Sequence, residues 1–314
     1  MVELNDVIEA HWRLKGIVHE TPVFSSTRIN TALGCNIFFK CENLQRVGAF
    51  KFRGAYNALS KLPIAKLAKG VVTHSSGNHA QALALAAQLF GVKAYIVMPE
   101  NAPQIKIDAV AGYGAEIYFC KPNLVAREST ADFVIKETGA SFIHPYNHHD
   151  IIAGQGTCAY ELLNQLDSSL DIVLSPVGGG GLLSGTAISV KALSPHTLVY
   201  GAEPKNADDA YRSYYNGELI LQQNPNTIAD GLLTSLGELN FEIIKQKVDD
   251  IILCSEDSIY KAMKLIFTNL KLVVEPSGAV PLACILDNIG IFKGKSVAII
   301  ISGGNIDISK FEWK

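Results

Sequence analysis

Short apolar runs suited to β-strands recur along this chain between stretches with helical spacing, and that alternation constrains the fold more than any other feature. Candidate strands are Gly70–Thr73, Ala94–Met98, Glu116–Cys120, Asp171–Val177, Leu198–Ala202, Asp250–Cys254 and Ser296–Ser302. Candidate helices between them include Asn78–Phe90, Pro103–Tyr113, Ser129–Glu137, Gln155–Leu166, Leu182–Leu193, Glu256–Thr268 and Ala279–Asn288. Such an order implies βαβ units, right-handed crossovers and mostly parallel sheets. The strands are continuously apolar, as expected when helices cover both faces of a sheet. Ligands on such sheets bind beyond the carboxyl ends of strands, so the chemistry should sit just after strands. The stretch 142–152, with its run His144-Pro145-Tyr146-Asn147-His148-His149-Asp150, breaks the alternation and is the candidate crossing between two domains. A polar stretch, 216–230, is expected to be a long surface connection.

The bulk properties narrow the function classes. Of 314 residues, 48% are hydrophobic and 18% charged, which permits a large core and argues against disorder. A net charge of −3 gives no basic surface for nucleic acid or an anionic membrane. Residues 1–20 lack the apolar core of a signal peptide, and no apolar run reaches the roughly 20 residues of a spanning helix. The cysteines (Cys35, Cys41, Cys120, Cys158, Cys254, Cys284) show no zinc or redox spacing, and buried reduced thiols in a cytoplasmic protein are expected. The histidines of 144–149 lack a supporting cysteine or carboxylate pattern and are expected at the surface or a domain junction rather than on a metal.

Four segments carry chemistry. Lys51 lies between Phe50 and Phe52 in Gly48-Ala49-Phe50-Lys51-Phe52-Arg53-Gly54. Burial by such neighbours would lower its pKa and free the lone pair to attack a carbonyl, as an aldehyde cofactor such as pyridoxal phosphate (PLP) requires. The alternative is a lysine that snorkels from a helix start. His74-Ser75-Ser76-Gly77-Asn78-His79 follows a strand and opens a helix, which suits either an anion on free backbone N–H groups or a plain N-cap. Gly178-Gly179-Gly180-Gly181 also follows a strand; the run has little structural use and lets consecutive amides converge on a phosphate. A dinucleotide fingerprint competes for it, but Leu183 or Ser184 stands where the third glycine belongs. Finally, Ser302-Gly303-Gly304-Asn305 ends the last strand with a serine able to bond a ring nitrogen, or forms an ordinary turn.

Together these segments resemble the fold-type II PLP enzymes (tryptophan synthase β-like, α/β), in particular the group of serine/threonine dehydratases and serine racemases. The resemblance runs from Thr21-Pro22-Val23 through Phe39-Lys40-Cys41-Glu42-Asn43 to Asp307. It implies two open parallel-sheet domains: a large one of residues 1–51 plus 144–314 and a small mobile one of residues 52–143. It also implies roles. Lys51 would hold PLP and act as base on one face of the substrate. Phe50 would stack on the ring, and Asn78 would bond its phenolic oxygen. Gly178, Gly179, Gly180, Gly181 and Leu182 would bind the phosphate. Ser302 would face the ring nitrogen with Glu275 nearby. Ser75, Ser76, Asn78 and His79 would grip the substrate carboxylate, with Arg127 as a further substrate contact. Glu203, the Ala207 carbonyl and Asp209 match the segment that holds Mg²⁺ or Ca²⁺ in the racemase branch; the alternative is a solvated acidic loop. A homodimer is the implied assembly.

A neutral serine beside the ring nitrogen makes the cofactor a weaker electron sink. That favours prompt loss of a β-hydroxyl over transamination. The expected activity is therefore dehydration of L-threonine or L-serine to the keto acid and ammonia. Serine racemase and threo-3-hydroxyaspartate dehydratase are the alternatives. Ser76 matters here because in the racemase branch a serine at this place donates a proton to the face opposite the lysine. Tyr146 stands where animal racemases have an asparagine, a departure from the racemase pattern.

Overall fold

The structure is a computed structural model that describes residues 1–102 and 104–307; of Ile105 only the backbone is described. The chain forms ten strands: β1 (Val23–Ser25), β2 (Asn36–Cys41), β3 (Val71–His74), β4 (Ala94–Pro99), β5 (Glu116–Cys120), β6 (Ser141–Phe142), β7 (Ile172–Pro176), β8 (Leu198–Pro204), β9 (Asp250–Cys254) and β10 (Ser296–Ile301). They make two sheets, ordered β1-β2-β10-β7-β8-β9 and β5-β4-β3-β6. Every pairing is parallel except β1 with β2. The parallel strands are the continuous apolar runs. β4 and β7 are buried along their whole length, because helices lie on both faces.

The helix expected from Pro103 begins at Gln104, and Pro103 itself lies outside the described residues. The apolar pattern of the sequence does not show β1, β2 and β6. The second is the instructive one: Asn36–Cys41 pairs with β10 at the middle of the sheet yet carries Lys40, whose side chain is fully buried. Nor does the pattern show the helix Lys51–Ser60, where Arg53 and Gly54 interrupt it. Gly54 is needed for close packing. A Cβ there would lie 2.9 Å from the Ile151 carbonyl oxygen, and one on Gly154 would lie 2.6 Å from the Gly54 Cα. The Lys51 helix thus crosses the helix His149–Gln165 with the two backbones nearly touching.

The larger cores lie under the helices of each sheet. One joins β2, β7, β9 and β10 to the helix Pro276–Asp287, and another joins β3 and β4 to the helices Lys51–Ser60 and Asn78–Phe90. All six cysteines are buried free thiols. No helix among the described residues is long and apolar enough to cross a membrane.

Candidate active site

The loops after β3, β7 and β10 meet in a cleft between the two sheets, and the start of the Lys51 helix joins them there. Ala49 bridges to Gly303, and the Phe50 N–H donates to the Ser302 carbonyl at 3.0 Å. These contacts fix the first turn of the helix against the end of β10. The half-buried Lys51 Nζ donates to the Pro145 carbonyl at 3.0 Å and lies 5.1 Å from the centre of the Phe50 ring. Burial lowers its pKa to about 8, with the Glu275 carboxylate pulling the other way. Phe50 packs beside Leu182, Cys158 and Ile300.

After β7, nothing among the described residues accepts from the N–H groups of Gly178, Gly179 and Gly180. The helix Gly181–Leu193 follows at once and leaves the N–H groups of its first turn, Gly181 and Leu182 included, without intrahelical partners. Gly180 has φ +93°, a conformation that favours glycine. The glycine run has a structural use that its sequence does not show, because close packing leaves no room for side chains. A Cβ on Gly179 would meet the Tyr146 ring at 2.3 Å, and one on Gly180 would meet Asn240 at 2.7 Å. Asn240 Nδ2 donates to the carbonyls of Gly179 (2.8 Å) and Tyr146 (3.2 Å), holding the loop in shape. Neither Asn240 nor the tyrosine's packing carries a local sequence signal.

After β3, Ser75 Oγ accepts from the Gly77 N–H at 3.3 Å, while the Ser76 hydroxyl bonds to no described residue. Asn78 opens the helix Asn78–Phe90. Its amide nitrogen donates to both Glu275 oxygens (2.9 and 3.1 Å), and its oxygen accepts from Asn305 at 2.9 Å. His79 lies beneath the loop. Its ring is 2% exposed, with Nε2 3.4 Å from the Ile143 carbonyl and Nδ1 unpartnered among the described residues. Burial first, then the Lys51 charge, hold it neutral. Any grip on a substrate by His79 therefore falls to its backbone N–H.

Glu275 is buried at the start of the helix Pro276–Asp287, and burial together with the Asp230 charge raises its pKa to about 7. A Cβ on Gly303 would lie 2.6 Å from Glu275 Oε1. Ser302 is 3% exposed, and its hydroxyl bonds to no described residue. Besides Asn78, an ion pair from Lys106 to Asp230 spans the cleft between the two sheets' elements.

Arg127 lies on the helix Leu124–Thr138, near His74 and Cys120; burial lowers the pKa of His74 and raises that of Cys120, and the Arg127 charge adds to the first shift and opposes the second. Its Nε is buried without a partner, and it makes no ion pair among the described residues. Two histidines of the stretch 144–149 serve the local backbone. His144 Nδ1 accepts from the Asn147 N–H at 2.9 Å, and His148 Nδ1 caps the next helix through the Asp150 N–H. Among the described residues no three His, Cys, Asp or Glu side chains gather as a metal site.

The match to known proteins follows this geometry. Residues 14–303 match the family described as "Pyridoxal-phosphate dependent enzyme". The chain belongs to that family. It is 50% identical over 314 residues to the serine racemase of Dictyostelium discoideum, covering 98% of this chain and 96% of that protein. The crystal structure of that racemase superposes with a TM-score of 0.93. It is also 50% identical over 308 residues to the β-hydroxyaspartate dehydratase of Paracoccus denitrificans, covering 98% of each. The T.th. threonine deaminase is 44% identical with a TM-score of 0.93, covering 98% of this chain and 99% of that one. The chain is thus a fold-type II, PLP-dependent enzyme of the ammonia-lyase and racemase group.

The residues present fit the cofactor. A run of unbonded amides at a helix start suits a phosphate. A half-buried amine of lowered pKa suits an aldehyde. A nearly buried serine hydroxyl without a protein partner, beside that amine's helix, suits a ring nitrogen. A divalent cation is fitted by a second place, at the end of β8. Glu203 and Asp209 are wholly buried there: burial and then the Asp209 charge push Glu203 well up, and burial pushes Asp209 to about 6. Glu203 accepts from the N–H groups of Ala210 and Tyr211, while Asp209 Oδ1 is buried without a partner. The buried Ala207 lies in the turn between them.

Proposed function

We propose that this enzyme is an ammonia-lyase of small β-hydroxy-L-amino acids, with 3-hydroxyaspartate preferred over serine and threonine. The unpaired guanidinium of Arg127 carries the choice. Its Nε is buried without a partner although the residue as a whole is half-buried, and a substrate with a second carboxylate would supply the missing partner. The methyl group of threonine would leave it unmatched. The name of the Paracoccus relative, a β-hydroxyaspartate dehydratase, agrees with this reading.

When bound, PLP supplies an electron sink that acidifies the substrate's α-carbon. The chain's residues do the rest. The amides of Gly178–Gly181 and Leu182 would hold the phosphate, Ser302 the ring nitrogen, Phe50 the ring face, and Asn78 the phenolic oxygen. Ser75, Asn78 and the His79 N–H would orient the α-carboxylate. Lys51 would take the α-proton, and the β-hydroxyl would leave as water. The unsaturated amine then hydrolyses to keto acid and ammonia. The contact from Lys106 to Asp230 would keep the cleft closed to bulk water during that step. Ser76, with its hydroxyl free, would give serine racemisation as a second outcome.

In Arg127→Met, kcat/KM on L-threo-3-hydroxyaspartate is expected to fall about 10- to 100-fold, the worth of a charge-assisted pair, with little change on L-serine. Steady-state assays of ammonia release would show it. Equal losses on both substrates, or threonine as the best wild-type substrate, would contradict the proposal.

We further propose that Glu203, Asp209 and the Ala207 carbonyl hold Mg²⁺ or Ca²⁺ away from the reacting atoms. Millimolar Mg²⁺ or Ca²⁺ is then expected to raise the melting temperature of EDTA-treated protein, and Asp209→Asn to abolish the rise. A rise of the same size in Asp209→Asn would place the cation elsewhere.

A further inference from the structure

Directly behind the Lys51 helix lie four charged side chains with almost no solvent access: Lys40, Glu42, Arg53 and Glu161. They come from β2, the turn after it, the Lys51 helix and the helix His149–Gln165. Arg53 is two residues beyond Lys51, and all five of its N–H groups have acceptors. Nε donates to Glu42 Oε2 at 2.7 Å, and Nη2 to Glu42 Oε1 at 2.8 Å and Glu161 Oε1 at 3.0 Å. Nη1 donates to Glu161 Oε2 at 3.1 Å and to Thr157 Oγ1 at 3.3 Å. Lys40 Nζ completes the group, donating to Glu161 at 2.5 Å and to Gln165 at 2.8 Å. Thr21 Oγ1 donates to Glu42 at 2.6 Å. Two cations and two anions balance.

Burying four charges is a poor way to gain stability, since a well-packed apolar cluster usually does as well or better. What a guanidinium held by two carboxylates provides is a fixed orientation. Arg53 is clamped on two sides, to Glu42 beside β2 and to Glu161 on the crossing helix. The first helical turn can then neither rotate nor slide. Lys51 is part of that turn, on the side that faces the cleft.

We infer that Arg53, through its double carboxylate clamp, is a positioning residue that aims the Lys51 amine into the site. The inference goes beyond the proposed substrate and rests on Lys51 being the reacting amine. Arg53 acts by geometry: the charge that bears on Lys51 is that of Glu275, with the rings of His79 and His144 and the Pro145 carbonyl as its other polar neighbours. Lysine at position 53 would keep the charge but could not span both carboxylates. The turn would loosen, and water would reach the Lys51 amine.

The test reads that amine in the cofactor-free protein. Short pulses of reductive methylation across a pH series, with the Lys51 peptide followed by mass spectrometry, give its titration midpoint. The wild-type midpoint is expected near 8. In Arg53→Lys it should rise by about one unit, so labelling at pH 7.5 falls about eightfold. Glu161→Gln, a milder change of the same clamp, should move it in the same direction. Lys61→Ala is the control. It removes the 2.6 Å pair with Asp150 at the far end of the same helix, and should lower the melting temperature without moving the midpoint. A wild-type midpoint in folded Arg53→Lys would overturn the inference. If that variant does not fold, the same result in Glu161→Gln would do so. An equal shift in Lys61→Ala would reduce Arg53 to a structural role. Because the labelling needs neither cofactor nor substrate, its outcome is separate from whether Lys51 anchors PLP.

Discussion

Lys51→Ala is expected to lower turnover by about 10⁴-fold or more, because one side chain both anchors the cofactor and moves the α-proton. The protein itself should not suffer. The Lys51 amine is drawn into the cleft with one carbonyl as its hydrogen-bond partner, and burial lowers its pKa from 10.5 to about 8. The sign of the stability effect follows. Between those values the unfolded chain keeps a proton that the folded chain has lost, so the stability of the cofactor-free wild type gains from rising pH there. Below pH 8 the folded protein holds a charged amine in an unfavourable place. Cofactor-free Lys51→Ala should therefore be more stable than wild type at pH 7, and the difference should shrink towards pH 10. Denaturant melts at the two pH values measure it. A variant that keeps full turnover would remove Lys51 from the mechanism, and one that is less stable at pH 7 would contradict the account of its environment.

Ser76→Ala should separate two reactions that share a first step. Dehydration needs a proton moved on the Lys51 face alone. Racemisation also needs one delivered to the opposite face, and Ser76 offers a hydroxyl without a partner among the described residues, whereas Ser75 Oγ accepts from the Gly77 N–H. Loss of a positioned acid is worth about 10²- to 10⁴-fold. D-Serine formation from L-serine should fall by that range in Ser76→Ala, while pyruvate formation falls far less. Chiral chromatography and a keto-acid assay on one incubation give both rates. Equal losses would make Ser76 a substrate-binding group and leave the second face without an identified acid.

Much of the scaffold is legible in the sequence because each continuously apolar run has one structural meaning. β5 and β9 end where the apolar runs end, and the helix Asn78–Phe90 has its expected bounds. Elements whose composition serves a distant partner are not legible. β2 carries Lys40 because Glu161, 121 residues away, is its partner. The Lys51 helix carries Gly54 because Gly154 crosses it. At the site, the motifs after β3, β7 and β10 are local and readable, since each is a run of consecutive residues just after a strand. The side chains that shape them are not. Tyr146 over Gly179, Asn240 beneath the glycine loop and Asn305 on Asn78 reach the site from far along the chain. Arg53 shows in the sequence only as a charge after a phenylalanine. Its five acceptors exist only in the folded protein.

Reducing the PLP-loaded enzyme with borohydride, digesting it and locating the modified peptide by mass spectrometry tests the role of Lys51 directly. A single pyridoxyl-phosphate adduct is expected, on Lys51 in the segment Ala49-Phe50-Lys51-Phe52. An adduct on any other lysine, or none on a protein that has bound PLP, would contradict that role.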